Sequence, residues 1–179
     1  MTNLKETKIS SEIIYKGRLL DVRLDTVSLP NGNTSTREWI KHPGAVCMIP
    51  RLSDDSIVLI RQFRYPVQRE MIELPAGKLE NNENPEDCAM RELEEEIGYR
   101  SEKLTFLTHI HPAIGFADEV LGIYLAENLV KTASNQDEDE FLELMPTQLE
   151  KAVAMVWNGE ITDVKTIIGI LWAEQIISI

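Results

Sequence analysis

The sequence contains little cysteine and histidine, which limits the kinds of site that it can build. Its 179 residues include two cysteines and three histidines. Cys47 and Cys88 form no CxxC pair and no Cys/His spacing, which argues against a disulfide scaffold or a zinc site. Both thiols are expected in the core. His109 and His111 alternate along a predicted strand without acidic or cysteine company, so we interpret them as structural.

The sequence also lacks long apolar runs and an excess of positive charge. No window reaches the roughly 18 uninterrupted apolar residues of a membrane span, and the charged, polar N-terminus does not resemble a signal peptide. We therefore expect a cytoplasmic protein without a membrane partner. The formal net charge of −12 repels polyanions and makes nucleic acid an unsuitable partner. A small anionic substrate would need metal cations to bind.

The pattern of apolar and turn residues predicts one main domain with a small N-terminal unit. Extended strands are predicted at residues 12–29 and 37–40, on either side of a strong turn signal at residues 30–33. We interpret residues 1–43 as an antiparallel β-hairpin unit and residues 44–179 as the main domain. Further short strands in the main domain are predicted at residues 45–49, 57–63, 104–110 and 120–125.

Helix signals are interspersed with these strands and follow them. The clearest helix is predicted to begin at Pro85, with Asn84 as its N-cap, and to end before Gly98. A second helix is predicted from a capping box at Thr147, and a third from near Asp163. Strands with helices between and after them predict an α+β fold, an α/β/α sandwich in which helices cover both faces of a mixed sheet.

The first helix carries a cluster of glutamates that its own stability disfavours. Glu92 lies one helical turn from Glu95 and Glu96, and each such like-charge pair costs roughly 0.2–0.5 kcal/mol. Carboxylates in the last turns of a helix also oppose its dipole, at roughly 0.3–1 kcal/mol each. A bound Mg²⁺ or Mn²⁺ would turn this repulsion into attraction. The alternative interpretation of an isolated acidic run is a solvated helix face.

The spacing around these acids favours the metal site. From residue 77 the sequence reads GKLENNENPEDCAMRELEEEIGY, which fits the pattern G-x5-E-x7-R-E-L-x-E-E-x-G. This pattern is the signature of the Nudix hydrolases, and the chain resembles them. The family usually has an aliphatic residue directly after this glycine, where this chain has Tyr99.

The resemblance implies a metal centre built on the helix and the loop before it. Glu92 and Glu96 would be metal ligands, Glu95 would assist directly or through water, and the Ala76 carbonyl would supply a backbone ligand. Two or three Mg²⁺ ions, with Mn²⁺ as an alternative, would bridge these oxygens and a diphosphate.

Further roles follow from the same resemblance. Arg91 would hold a glutamate in place through paired hydrogen bonds. Glu83 would contact a metal through water or shape the loop at the substrate. In the acidic run at residues 137–140, Glu138 would position or deprotonate the attacking water and Glu140 would reach a metal. A solvated loop is the alternative interpretation of that run.

Segments outside the motif resemble the ADP-ribose pyrophosphatase branch of the family. They read REWIKHPGAV, RQFRYPV, ELPAGKLE, HPAIGFADE, DEDEFLEL and ITDVKTIIGIL. The resemblance implies hydrolysis of ADP-ribose to AMP and ribose 5-phosphate. That branch commonly has proline where this chain has Ile114, which leaves open another nucleoside diphosphate derivative such as a nucleotide sugar or dinucleoside polyphosphate. A non-catalytic nucleotide-binding module is the third alternative.

Substrate contacts are expected from two regions. Among the arginines, Arg37, Arg61 and Arg64 are the candidates for the nucleotide end, with Arg64 the first choice for the phosphates or the terminal ribose. Gly115 and Phe116 belong to the loop that resembles the family's substrate loop. In the resembling family the N-terminal segment packs on a second subunit, so a homodimer is expected.

Overall fold

The computed structural model describes residues 3–132 and 141–177. Three α-helices lie within these residues: α1 (Pro85–Ile97), α2 (Leu149–Trp157) and α3 (Val164–Ile177). The strands of the same residues are β1 (Thr7–Lys16), β2 (Asp21–Ser28), β3 (Thr34–Lys41), β4 (Ala45–Pro50), β5 (Ser56–Arg64), β6 (Arg69–Glu73), β7 (Ala76–Lys78), β8 (Tyr99–Ile110), β9 (Leu121–Lys131) and β10 (Leu142–Gln148).

The strands form three sheets. The N-terminal sheet has the order β1-β2-β3 and is antiparallel throughout, so the expected hairpin unit has a third strand. The second sheet has the order β7-β4-β9-β8 and is mixed, because β4 pairs with β9 in parallel. The third has the order β10-β5-β6.

Strand alternation explains why helices cover both faces of the main domain. Successive residues of a strand point to opposite faces of the sheet. Because helices cover both faces, a strand between them must have apolar side chains on both faces. On β4, Cys47 and Ile49 face α2 and α3, whereas Val46 and Met48 face α1. All four are fully buried. This arrangement confirms the predicted α+β sandwich.

Local signals place α1 and α3 as the sequence predicts. The Asn84 side chain accepts a hydrogen bond from the Glu86 N–H at 3.0 Å, and Gly98 ends α1 with φ of 66°, a left-handed conformation that favours glycine. The Asp163 carboxylate accepts from the Thr166 N–H at 3.0 Å at the start of α3. The caps at Asn84 and Gly98 define where α1 begins and ends, and so where its glutamates lie.

The predicted capping box of α2 is wrong. Thr147 lies in β10, and its hydroxyl donates to the Met145 carbonyl at 2.9 Å instead of capping the helix. Pairing with β5 extends β10 to Gln148, so α2 begins at Leu149. Tertiary pairing therefore overrides the local capping signal.

Both cysteines lie in the core, as predicted. Cys47 and Cys88 are fully buried, and burial raises the pKa of each thiol to about 12. They are therefore protonated near neutral pH and act as small apolar side chains. Within residues 3–132 and 141–177, no helix has the length and apolar character that crossing a bilayer requires.

Candidate active site

Two adjoining cavities meet at the Glu92 side chain. One, of about 580 Å³, is lined by Glu92 and Glu96 from α1 together with Arg64 from β5 and Lys165 from α3. The other, a cleft of about 1070 Å³, is lined by Glu92 and Glu95 and reaches toward the N-terminal sheet. A linear molecule bound across Glu92 would therefore extend into both.

Arg91 links the acidic side chains of this region. Its Nε donates to Glu83 at 2.9 Å, and its Nη1 donates to Glu92 and to Glu95, both at 2.8 Å. Its Nη2 donates to the Lys78 carbonyl at 3.3 Å. One guanidinium thus fixes three carboxylates that would otherwise repel each other, a task for which its planar fork of donors is suited.

The hydrogen bond from Arg91 also sets the charge of Glu83. Together with the N–H of Glu80, which donates to Glu83 at 2.8 Å, it outweighs the effect of burial and lowers the pKa of Glu83 to about 2. Glu83 is therefore ionised near neutral pH. Its carboxylate ties the loop before α1 to the middle of the helix.

Glu96 is held from the opposite direction. Only 6% of the residue is exposed, and its carboxylate accepts a hydrogen bond from the Ala76 N–H at 3.0 Å. Ala76 begins β7, which pairs with β4 in the core of the domain. The strand therefore positions Glu96 beside the 580 Å³ cavity.

The carboxylates of Glu92 and Glu96 are the type of ligand that a hard divalent cation prefers. Glu92 and Glu96 are one helical turn apart and line the same cavity with carboxylate oxygens, the donors that Mg²⁺ and Mn²⁺ prefer. Within the described residues, no three acidic, histidine or cysteine side chains are arranged around a common metal position. Glu92 and Glu95 both accept hydrogen bonds from Arg91 instead.

The remaining predicted residues lie in different places. Arg37 is on β3, where its guanidinium donates to Glu6 at 2.5 and 3.0 Å and to the Thr36 carbonyl at 2.8 Å. Arg61 forms an exposed ion pair with Glu143 across β5 and β10. Glu138 and Glu140 lie outside the described residues.

The loop of Gly115 and Phe116 is bonded to the N-terminal sheet. The Ile40 N–H donates to the Phe116 carbonyl at 2.8 Å, and the Asp118 N–H donates to the Ile40 carbonyl at 3.3 Å. The Phe116 side chain is 59% exposed. The same segment brings Pro112 and Glu119 to the wall of the 580 Å³ cavity.

Sequence reasoning missed a group of charged residues at this cavity. The sequence predicts Arg64 as a substrate contact, but it does not indicate Glu73, which accepts a hydrogen bond from Arg64. It also does not indicate Lys165, which contacts Glu73 although the two residues are 92 positions apart in sequence. One signal was available, because Lys165 lies in the first turn of a mostly apolar helix, two residues after Asp163, and a lysine buried there needs an acidic partner.

Comparison with known proteins identifies the family. A model described as "NUDIX domain" matches residues 41–164, and one described as "Nucleoside diphosphate sugar hydrolase N-terminal domain" matches residues 6–40. The chain is 43% identical to an ADP-ribose pyrophosphatase of Bacillus subtilis (strain 168), over 97% of this chain and 95% of that protein. It is 41% identical to a methanol dehydrogenase activator of Bacillus methanolicus, over 95% and 93% respectively.

A solved structure supports the same assignment at the level of fold. The crystal structure of an ADP compounds hydrolase superimposes on this chain with a TM-score of 0.87. The superposition covers 99% of this chain and 97% of the hydrolase chain, and the two sequences are 21% identical. A family model that spans most of the chain and relatives that align along nearly all of it agree with each other. The chain therefore belongs to the Nudix family of hydrolases.

Proposed function

We propose that this protein hydrolyses the diphosphate bond of ADP-ribose, with AMP and ribose 5-phosphate as products, and that the reaction needs Mg²⁺. The observation that carries the proposal is the lining of one cavity by Glu92, Glu96 and the guanidinium of Arg64. Hydrolysis of a diphosphate ester requires carboxylates that bind a metal ion and a cationic side chain that binds a phosphate. The name of the Bacillus subtilis relative supports ADP-ribose as the substrate.

The residues of the site divide into metal ligands and groups that position them. Glu92, Glu96 and the carbonyl of Ala76 would hold the metal, which when bound lowers the pKa of a water and offsets negative charge on the phosphates. Arg91 limits the movement of Glu92 and Glu95 through its hydrogen bonds. Arg64 would bind a phosphate or the terminal ribose. Glu83, which accepts a hydrogen bond from Arg91, would keep the loop before α1 in place.

Two further assignments complete the proposal. Glu138 would position or deprotonate the attacking water, and Glu140 would add a carboxylate to the metal site. A base in this role must come within about 2.6–3.2 Å of the water or of one that bridges to it. Replacing Glu138 with Gln should therefore reduce kcat with little effect on KM, since only proton transfer is removed.

A second substrate class has its own support. Ile114 replaces the proline common in the ADP-ribose branch, and its side chain is 82% exposed beside the cavity-lining Pro112. The model that matches residues 6–40 is named for nucleoside diphosphate sugars. Another nucleotide sugar is therefore the alternative substrate, with the same diphosphate chemistry.

A substrate panel tests the proposal. The purified protein would be incubated with Mg²⁺ and ADP-ribose, other nucleotide sugars or dinucleoside polyphosphates, and the products separated by chromatography. We expect kcat/KM to be highest for ADP-ribose and turnover to stop in EDTA. A higher value for another nucleotide sugar would favour the alternative, and nucleotide binding without turnover of any compound would favour a non-catalytic module.

A further inference from the structure

We propose that Glu73 and Lys165 are positioning residues that hold the Arg64 guanidinium at the cavity wall for contact with the substrate. The inference rests on the proposed function only in taking Arg64 as a substrate contact. Glu73 is not among the described residues that line the cavity, and the Nζ of Lys165 is bonded to Glu73 and Asp163. Their effect on the reaction would pass through Arg64.

The geometry between Arg64 and Glu73 fixes one edge of the guanidinium. Nε of Arg64 donates to Oε1 of Glu73 at 2.6 Å, and Nη2 donates to Oε2 at 2.8 Å. This two-bond pairing sets both the position and the plane of the guanidinium. The Glu73 side chain is 4% exposed, whereas that of Arg64 is 45% exposed. The arginine is therefore anchored on its inner side and open on its outer side.

Lys165 fixes the position of Glu73 in turn. Its Nζ lies 2.5 Å from Oε2 of Glu73 and 2.9 Å from Oδ2 of Asp163. The same Asp163 oxygen accepts hydrogen bonds from the N–H and hydroxyl of Thr166, at 3.0 and 2.6 Å. The Thr166 hydroxyl oxygen accepts from the Leu74 N–H at 2.8 Å. The cluster is thus attached to the start of α3 and to the backbone just after β6.

The cluster favours the charged forms of both Glu73 and Lys165. Burial raises the pKa of Glu73, but hydrogen bonds from Arg64 and the charge of Lys165 outweigh it, so the pKa lies below its usual value. Burial lowers the pKa of Lys165, but the charges of Asp163 and Glu73 outweigh it and raise the pKa. Two cations and two carboxylates balance, so the cluster adds no net charge beside Glu92 and Glu96.

The location of the cluster distinguishes it from an ordinary structural ion pair. Buried ion pairs add little stability compared with apolar packing, because desolvation offsets their attraction. This one lies at the cavity of Glu92 and Glu96, and Arg64 and Lys165 both line that cavity. A long arginine side chain that is ordered before the substrate arrives loses less entropy on binding. A fixed Arg64 would therefore lower KM.

A double-mutant cycle on Glu73 and Arg64 tests this inference. Calorimetry in the presence of Mg²⁺ would measure the affinity for an ADP-ribose analogue that has a methylene group in place of the bridging oxygen. KM and kcat would be measured with ADP-ribose itself. We expect Glu73→Gln to weaken binding and raise KM by about threefold to tenfold, the effect of releasing one ordered side chain, with a smaller change in kcat. Arg64→Ala should weaken binding at least as much.

The double variant gives the decisive comparison. If Glu73 acts only through Arg64, the variant with both changes binds as weakly as Arg64→Ala alone. The inference is overturned if Glu73→Gln lowers only the melting temperature, if the two binding effects multiply in the double variant, or if Arg64→Ala binds like the wild type.

The chain offers a matched control outside the cavity, at Glu127 of β9. Glu127 also pairs with an arginine and a lysine, since it accepts from Arg51 at 3.1 Å and from Lys103 at 2.5 Å, and its side chain is 17% exposed. Glu127→Gln should lower the melting temperature and leave the affinity unchanged. If it weakens binding as much as Glu73→Gln does, the effect is one of general stability and the inference is wrong.

The proposed function fails in a different way. Its failure would be an absence of turnover by the wild-type protein, whereas the cycle is read from binding and needs no turnover. If the wild-type protein binds no diphosphate analogue at all, both the inference and the proposed function are overturned.

Discussion

A Cβ atom added to Gly77 would lie 1.8 Å from Cδ of Glu92. Such a distance is far below van der Waals contact, so the backbone of β7 and the carboxylate approach each other as only glycine permits. The first glycine of the motif therefore has a physical reason. It leaves space for the side chain that lines both cavities.

Replacing Gly77 with alanine should inactivate the protein without unfolding it. The new methyl group meets the flexible end of the Glu92 side chain, which can rotate away, so the core is preserved. Displacement of a reacting group by about 1 Å can cost on the order of 100-fold in rate. We expect kcat/KM to fall by about that factor with an unchanged circular dichroism spectrum. Wild-type activity in Gly77→Ala would mean that the position of Glu92 is unimportant.

Replacing Arg91 with lysine should lower both stability and metal affinity. Lysine keeps the charge, but its single nitrogen cannot reproduce the planar fork of donors through which Arg91 reaches Glu83, Glu92 and Glu95. Loss of hydrogen bonds to charged groups should reduce the free energy of unfolding by roughly 1–3 kcal/mol. More Mg²⁺ should be needed for half-maximal rate. The control is Arg100→Lys, a change at an exposed arginine of β8, and equal effects of the two variants would contradict this account.

The stabilisation provided by Glu127 should depend on pH. The hydrogen bond from Lys103, with the charges of Lys103 and Arg51, outweighs the effect of burial and lowers the pKa of Glu127 below its ordinary value of 4.5. A carboxylate whose pKa is lowered by folding stabilises the folded state above its unfolded pKa and loses that effect as the pH falls through its folded pKa. The wild-type protein should therefore exceed Glu127→Gln in urea stability at pH 7, by a margin that shrinks below pH 4.5. A margin that is constant with pH would refute this.

The N-terminal sheet should mediate a homodimer. All ten residues of β1 are exposed, including Ile9 and Ile13 at 58% and 50%, and β1 is one of the two edge strands of its sheet. Exposed apolar residues on an edge strand favour association. Sedimentation at micromolar concentration should give twice the chain mass for the wild type and the chain mass for Ile9→Glu/Ile13→Glu. The control Val130→Glu, at an exposed valine of β9, should remain dimeric. A monomeric wild type would exclude the dimer.

Those parts of the fold that depend on local sequence were predicted well. The ends of α1 follow from Asn84, Pro85 and Gly98, which act within one turn of the helix. The short strands β6 and β7 were missed because five or three residues carry little periodicity, and because β7 pairs with β4, which is distant in sequence. The false cap at Thr147 has the same origin, since strand pairing decided where α2 begins.

The site shows the same division between local and distant information. Helical spacing brings Glu92, Glu95 and Glu96 to neighbouring positions whatever the rest of the chain does. The contact of Glu73 with Lys165 joins residues 92 positions apart, which no motif or period encodes. It exists because α3 packs across the sheet and brings its first turn to the end of β6.

Metal binding by two matched variants of α1 would show whether its glutamates hold a divalent cation. Mn²⁺ would be titrated into the wild type, Glu96→Gln and Glu94→Gln in the presence of the methylene analogue, with free Mn²⁺ followed by electron paramagnetic resonance. We expect Glu94→Gln to bind Mn²⁺ as the wild type does, and Glu96→Gln to lose at least about tenfold in affinity, as removal of a metal ligand or of its support does. Equal Mn²⁺ affinity in all three proteins would contradict the claim that these helix glutamates hold the metal.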